Sequence, residues 1–369
     1  MLTTKKFVSL LSKNKINFYC GVPDSCLKNF TNLITRQKQK NIISANEGSA
    51  VSTGIGYYLK TKKIPLIYMQ NSGLGNAMDP LTSLTPKESY SIPMLLLIGW
   101  RGSPGLKKDE PQHTVMGRIT LKILKLLDIK FIVIKSDKDL KKVLNLIKFS
   151  IKNKRPVACI VDRNTFSKTQ PIQNKTIDNN LIFRPDAIEC ILRSIKKKSK
   201  IISTVGFTSR ELHQIRKDKK IKSGKDFLMI GGMGHTATTS LGVALYEKED
   251  VICLDGDGSF LMHMGGVATA ASIIKKNFKY ILFDNNSHES VGPTNQPTIS
   301  NKLSFKKIAE GFGFKKTFIL NSKKNFRSKL SKYIRKKGSV FILIKIKTGS
   351  LSNLERPSSM SDIKNHFMK

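Results

Sequence analysis

Short apolar runs alternate with longer amphipathic stretches along almost the whole chain, and that alternation predicts strands alternating with helices. In the first half, residues 17–22, 42–44, 65–70, 93–99, 131–134 and 156–161 have the length and apolar content of strands. Between them, apolar positions recur at helical spacing. Leu27, Phe30, Leu33 and Ile34 form one such face, with Asp24 as the helix N-cap, and Ala50, Val51, Gly54 and Tyr57 form another. Further helices are expected over residues 5–11, 73–84, 119–127 and up to about 151, with a polar loop over 100–112.

Periodicity lapses near residues 163–184, where Thr, Gln, Asn and Pro171 collect, so 166–184 reads as a linker between domains 1–165 and 185–369. The alternation then resumes. Helices are expected from residue 185 and over 208–217, 236–246, 305–312 and 323–336, with strands over 201–205, 227–230, 317–320 and 340–346. The last twenty residues read as irregular. Two halves rich in strand–helix–strand units imply an α/β protein with two doubly wound parallel sheets.

A chain of 369 residues can bury two domain-sized cores. The mean hydropathy of −0.23 suits a globular protein. The longest apolar run, near 94–99, is too short to span a bilayer, so no membrane partner is expected. Lys13, Asn14 and Lys15 interrupt the N-terminal stretch and no small-residue cleavage site follows, which argues against a signal peptide and for the cytoplasm. Five dispersed cysteines (Cys20, Cys26, Cys159, Cys190, Cys253) suggest reduced thiols. The net charge of +39 raises nucleic-acid binding, but the basic stretches are short and lack interleaved aromatics. The Lys and Asn content runs through the whole chain, so the charge is read at most as an attraction for a polyanionic small-molecule substrate.

The chemistry concentrates between Val251 and Gln296: an apolar strand, a Gly-Asp-Gly turn, a small-residue helix, a second apolar strand and an Asp-Asn-Asn loop. Asp257 and Asn285 then lie at the C-terminal ends of two parallel strands, facing one crevice. Gly256 and Gly258 allow close backbone approach, and the helix after Ser259 points its N-terminus at any phosphate there. An Asp carboxylate, an Asn carbonyl and a loop carbonyl are hard donors suited to Mg2+ beside a diphosphate. A bare Gly-Asp-Gly is a weak signal, but here 24 residues separate GDGS from DNN with strand, helix and strand in between. That spacing resembles the thiamine-diphosphate motif. Asp284-Asn285-Asn286 offers two registers: Asn285 with the Ser287 carbonyl, or Asn286 with the His288 carbonyl. The first brings HESVG where the family described next has it.

GVPDS, SANEGSA, QNSGLGNAMDPLTSL, DEPQH, GGMGHT and HESVG together resemble the phosphonopyruvate decarboxylases, over most of residues 15–315. These are thiamine-diphosphate-dependent 2-oxoacid decarboxylases, with the sulfopyruvate decarboxylases similar and often split between two chains. The resemblance implies a thiamine-diphosphate-binding fold, a pyrimidine-binding first half and a diphosphate-binding second half. It implies thiamine diphosphate and Mg2+ as cofactors, and release of CO2 and phosphonoacetaldehyde from 3-phosphonopyruvate. Such a cofactor needs a carboxylate against its aminopyrimidine ring, in a setting where burial raises its pKa, and Glu47 has that position. Glu47 alone is equally explained as a first-turn Glu favoured by the helix dipole. By resemblance, Asp24 takes part in proton transfer at the reacting carbon and His113, in the loop after a later strand, assists. That loop also carries Arg101, Lys107, Lys108 and Asp109. Met233 props the cofactor, with Gly234 and His235 beside it, and His288 and Glu289 stand at the wall. The phosphonate needs donors, for which Ser25, Arg101, His113, His288 and residues 294–296 are candidates. A homodimer or higher, with active sites shared between chains, is the family expectation.

Other classes leave more unexplained. Sulfopyruvate or another 2-oxoacid keeps the mechanism and changes the substrate. Gly232 to Ala237 matches the looser nicotinamide-binding form G-x-G-x-x-A, with Asp255 about 20 residues on, but that leaves GDGS…DNN without a role.

Overall fold

The computed structural model describes residues 1–37, 39–105, 109–170, 178–221, 225–274, 276–291, 297–355 and 359–369. They form two compact units, one from the described residues up to 170 and one from residues 178–290 and 297 onward.

The first unit runs α1 (Thr4–Lys13), β1 (Phe18–Gly21), α2 (Lys28–Arg36), β2 (Lys40–Ile43), α3 (Glu47–Thr61) and β3 (Leu66–Gln70). It continues with α4 (Leu74–Ser83), β4 (Leu95–Gly99), α5 (Pro111–Leu126), β5 (Lys130–Ile134), α6 (Leu140–Asn153) and β6 (Val157–Val161). Its strands pair in parallel in the order β2-β1-β3-β4-β6-β5. Alternation along β4 shows why both faces are covered: Leu95 and Leu97 enter a core with Phe7 and Phe30, while Leu96 and Ile98 enter another with Val51 and Leu74. Chain order reverses between β1 and β3, where an open parallel sheet leaves a crevice at its C-terminal edge.

The second unit runs β7 (Ile182–Phe183), α7 (Arg184–Ser194), β8 (Lys200–Ser203), α8 (Phe207–Asp218), β9 (Lys225–Leu228), α9 (Thr236–Tyr246) and β10 (Val251–Gly256). Then come α10 (Asp257–Met262), α11 (Met264–Ile273), β11 (Phe278–Asp284), α12 (Phe305–Gly311), β12 (Lys316–Leu320), α13 (Phe326–Ile334), β13 (Val340–Lys347) and α14 (Met360–Met368). The parallel order is β12-β13-β11-β10-β8-β9, and β7 pairs with β13. Ile281 and Phe283 of β11 face one core with Ile188 and Leu330, and Tyr280 and Leu282 face the other with Phe260 and Phe305. The reversal falls between β8 and β10, beside the Gly-Asp-Gly segment.

Several expectations shift. The helix carrying His113 begins at Pro111, where proline supplies a pre-set φ and needs no hydrogen bond, so His113 sits in the first turn of α5 and not in a loop. The helix after Gly-Asp-Gly starts at Asp257 itself and breaks at His263 into α10 and α11. The stretch expected as linker is used at both described ends. Phe166 is buried in the first core, Ser167 bonds Thr4, and Ile182 and Phe183 extend the second sheet. The tail is not wholly irregular, because Ser359 caps α14 and Phe367 rests on Phe227 and under the Lys200 ammonium. Among the described residues all five cysteines are free, and no helix is long and apolar enough to cross a membrane.

Candidate active site

In the second unit one cleft opens at the C-terminal ends of β8, β10 and β11. Met233, Gly256, Asp257, Gly258, Ser259, Asn285, Ser287, His288 and Glu289 all line it, joined by Thr204 and Arg184. Met233 stands between Gly232 and Gly234, whose φ values of +66° and +86° give the tight turn that presents it. The buried Ser259 hydroxyl accepts from Gly234 N at 3.1 Å and from Thr204 Oγ1 at 3.2 Å, tying that turn and the end of β8 to α10. Gly258 leaves room for the His288 ring, which a Cβ would approach to 2.8 Å, whereas a Cβ at Gly256 meets nothing within 4 Å. The backbone at Gly256 is therefore open to a ligand.

Asp257 is buried at the first position of α10 and accepts from Thr298 Oγ1 at 2.5 Å. Burial, and then the charge of Asp284, push its carboxyl up to about 7. Asp284 is paired with Lys345 and accepts from Ser300 Oγ at 2.8 Å. With Asp284 already neutralised by Lys345, the donors left in the cleft are the Asp257 carboxylate, the Asn285 amide and the Ser287 backbone, and a hard divalent ion fits such oxygen donors. Asn286 adopts φ +53° and turns its amide oxygen to Ser300 Oγ at 3.0 Å and Thr298 Oγ1 at 3.3 Å, and it does not line the cleft. Of the two registers, Asn285 is the residue in the cleft. Burial pushes His288 down to about 4, so its imidazole is neutral near pH 7. His235 lies outside the cleft: it is exposed and stacks on His263 at 4.5 Å. Gly234 borders the site through Ser259.

In the first unit the chemical side chains gather at the C-terminal edge of the sheet. Asp24 follows β1, is 2% exposed, and accepts from Cys26 N at 2.9 Å through one oxygen while the other has no partner. Burial raises its pKa, against the pull of Cys26 N and the Arg101 charge. Gly99 at the end of β4 is tolerated only as glycine, because a Cβ would come within 2.1 Å of Asp24 Oδ2. Arg101 forms a fork to Asp109 at 2.8 and 2.6 Å and reaches Ser25 Oγ at 3.1 Å. Burial acts to raise Asp109, but the Arg101 fork outweighs it and holds that carboxyl below the usual range. His113 is pushed down to about 4 by burial and then by Arg101. Lys107, Lys108 and residues 294–296 lie outside the described residues.

Glu47 occupies the first position of α3, capped by Asn46, and is 5% exposed. Asn76 Nδ2 donates to its Oε2 at 2.7 Å, and Gly73 leaves the space its carboxyl fills, since a Cβ there would stand 2.4 Å away. Burial raises its pKa and the Asn76 hydrogen bond only partly offsets this. Water normally reaches a glutamate that serves only the helix dipole, whereas Glu47 is buried.

Sequence reasoning passed over Asn76, Asn71, Thr298, Ser300 and the ion pair of Arg184 with Glu211. Asn71, fully buried at the end of β3, ties the Arg101 backbone to Thr120 Oγ1. Its position at a strand end was a usable signal; Thr298 and Ser300 follow an irregular loop and gave none.

Residues 1–121 match the thiamine pyrophosphate enzyme N-terminal TPP-binding domain, and residues 204–344 match the C-terminal TPP-binding domain. The chain is 30% identical to the phosphonopyruvate decarboxylase of Streptomyces viridochromogenes, covering 97% of this chain and 91% of that protein. It is 29% identical to the phosphonopyruvate decarboxylase of Streptomyces hygroscopicus, over 97% and 90% respectively. Identity to the sulfopyruvate decarboxylase of Methanosarcina acetivorans is 25%, over 98% and 96%. The chain belongs to the thiamine pyrophosphate enzymes, in the decarboxylase family that these relatives represent. The expected fold and the thiamine diphosphate cofactor follow from that membership.

Proposed function

We propose that this enzyme, a thiamine-dependent carboxy-lyase, decarboxylates 3-phosphonopyruvate to phosphonoacetaldehyde and CO2. The observation that carries the reading is the buried Asp257 in a cleft shared with Asn285 and an open Gly256. Asp257, Asn285 and the Ser287 carbonyl are the donors assigned to Mg2+, and Gly256, Gly258 and Ser259 border the diphosphate. Bound there, thiamine diphosphate supplies an electron sink for the pair released as CO2 leaves. Glu47, buried and kept in place by Asn76, hydrogen-bonds the aminopyrimidine nitrogen in this reading. Asp24, whose burial favours its protonated form, is assigned the delivery of a proton to the reacting carbon. Arg101, aimed by Asp109 toward Ser25, takes the phosphonate together with Ser25; the neutral His113 of the first unit and the neutral His288 in the cleft of the second are further assigned donors or acceptors. Met233, Gly234 and His235 belong to the cofactor side.

The first unit is assigned the pyrimidine-binding role and the second the diphosphate-binding role, in at least a homodimer whose active sites are shared between chains. Free thiols at all five cysteines support a reducing compartment such as the cytoplasm. A second reading, sulfopyruvate as substrate, is favoured by the Methanosarcina relative and by the similar tetrahedral, anionic shape of sulfonate and phosphonate. Both are tested by aldehyde release from phosphonopyruvate, sulfopyruvate and pyruvate in parallel, with thiamine diphosphate and Mg2+. The expected result is preference for phosphonopyruvate, lost on chelation. Preference for sulfopyruvate moves the substrate, and release from none of the three overturns the reading.

A further inference from the structure

From the wall of the cleft a chain of charged side chains runs inward, from Glu289 through Arg184 to Glu211. Arg184, 5% exposed at the start of α7, donates from Nε to Glu211 Oε2 at 2.6 Å and from Nη2 to Glu211 Oε1 at 3.2 Å. Glu211 has no exposed surface. The same guanidinium donates from Nη1 to Glu289 Oε2 at 3.1 Å. Glu289 also receives Gly349 N, and it accepts from Asn285 Nδ2 at 3.0 Å. Burying the Glu211 carboxylate and the Arg184 guanidinium, with the half-buried Glu289 beside them, is costly, so a specific role is the natural question to ask of them.

The answer lies in the Asn285 amide, whose two ends are chemically opposite but nearly identical in shape. A carboxylate only accepts, so Glu289 faces the amide nitrogen. A backbone N–H only donates, so Ser287 N faces the amide oxygen, at 3.1 Å. Reversing the amide would set oxygen against carboxylate and NH2 against N–H. We propose that Glu289, fixed by Arg184 and Glu211, is a positioning residue that locks the Asn285 amide so that its oxygen, which already accepts from Ser287 N, keeps its second lone pair for the divalent cation of the cofactor. The two carboxylates against one guanidinium also leave a negative excess beside the site, which favours a cation. Residues behind a metal ligand commonly set its affinity in this way. The inference rests on Asn285 as a metal ligand.

The test is the Mg2+ concentration for half-maximal thiamine diphosphate binding, read by calorimetry on the full chain, in wild type, Glu289→Ala and Glu289→Gln. Alongside it, the melting temperature is taken without metal or cofactor. Glu289→Ala is expected to raise the Mg2+ requirement about 10- to 100-fold. Glu289→Gln, which keeps an acceptor for Asn285, is expected to raise it less. An unchanged Mg2+ requirement in Glu289→Ala, even with a lowered melting temperature, overturns the inference and leaves the functional reading intact. If the alanine variant does not fold, an unchanged requirement in Glu289→Met, which keeps the side-chain length but removes the acceptor for Asn285, has the same force. Wild type that binds no thiamine diphosphate with Mg2+ overturns the functional reading and this inference with it.

Discussion

Glu47 shows how a single position acquires chemistry from its surroundings. Its carboxyl fills the space that Gly73 leaves, holds one hydrogen bond from Asn76 and is shielded from water, so its protonated form is favoured over that of a surface glutamate. Glu47→Gln is expected to lower kcat by about 10²- to 10⁴-fold, the range of a lost acid–base group. Thiamine diphosphate affinity stays within a few-fold of wild type, since the amide keeps the shape. Near-normal turnover in the glutamine variant removes Glu47 from the mechanism. His113 makes a pH statement. Its folded pKa of about 4 lies below the ordinary 6.5, so between those values the unfolded chain binds more protons. Its contribution therefore makes stability fall as pH drops from 6.5 toward 4. His113→Gln is expected to gain stability relative to wild type across that window. Denaturant melts at both ends that show a constant difference between the two proteins count against a buried neutral histidine.

At the scale of elements, the site is assembled by strand ends. β8 and β10 meet where the chain order reverses, and Ser259 joins the end of β8, the Gly232–Gly234 turn and α10 through two hydrogen bonds. Helices α7 and α8 are joined by Arg184 and Glu211, and Leu351 N after β13 also donates to Glu211. Glu211→Ala leaves the Arg184 guanidinium buried with less compensation and is expected to cost about 3–5 kcal/mol of stability. Denaturant titration of the metal-free protein checks it. A loss near zero means that water or Glu289 takes over the pairing.

At the scale of the molecule, the net charge of +39 has a role compatible with a small dianionic substrate. Raising ionic strength from about 0.01 M to about 0.15 M shortens the screening length from roughly 30 Å to roughly 8 Å. Across that range kcat/KM for phosphonopyruvate is expected to fall several-fold with kcat nearly constant, and to fall less for singly charged pyruvate. Equal salt dependence for both substrates shows that the charge reflects composition without steering.

How legible the protein was in its sequence depends on the distance over which each feature is decided. The alternation of apolar runs and helical faces specified two parallel-sheet units, because strand and helix periods are local consequences of backbone geometry. Asp257 and Asn285 were also legible, since one strand–helix–strand unit delivers both to the same edge. The Pro111 helix start and the Ser359 cap were local too, but each supported an element too weakly patterned to be read ahead of its contacts. Tertiary structure alone decided the rest. Arg184 stands 105 residues from Glu289, Asp257 stands 41 from Thr298, and Asp284 stands 61 from Lys345. A buried charge must find its counter-charge wherever packing brings one, and no local pattern records that partner. The sequence by itself determined the fold class and brought Asp257 and Asn285 to one sheet edge; the packed structure determined how their side chains are oriented, which groups hold them and how far burial raises the Asp257 carboxyl.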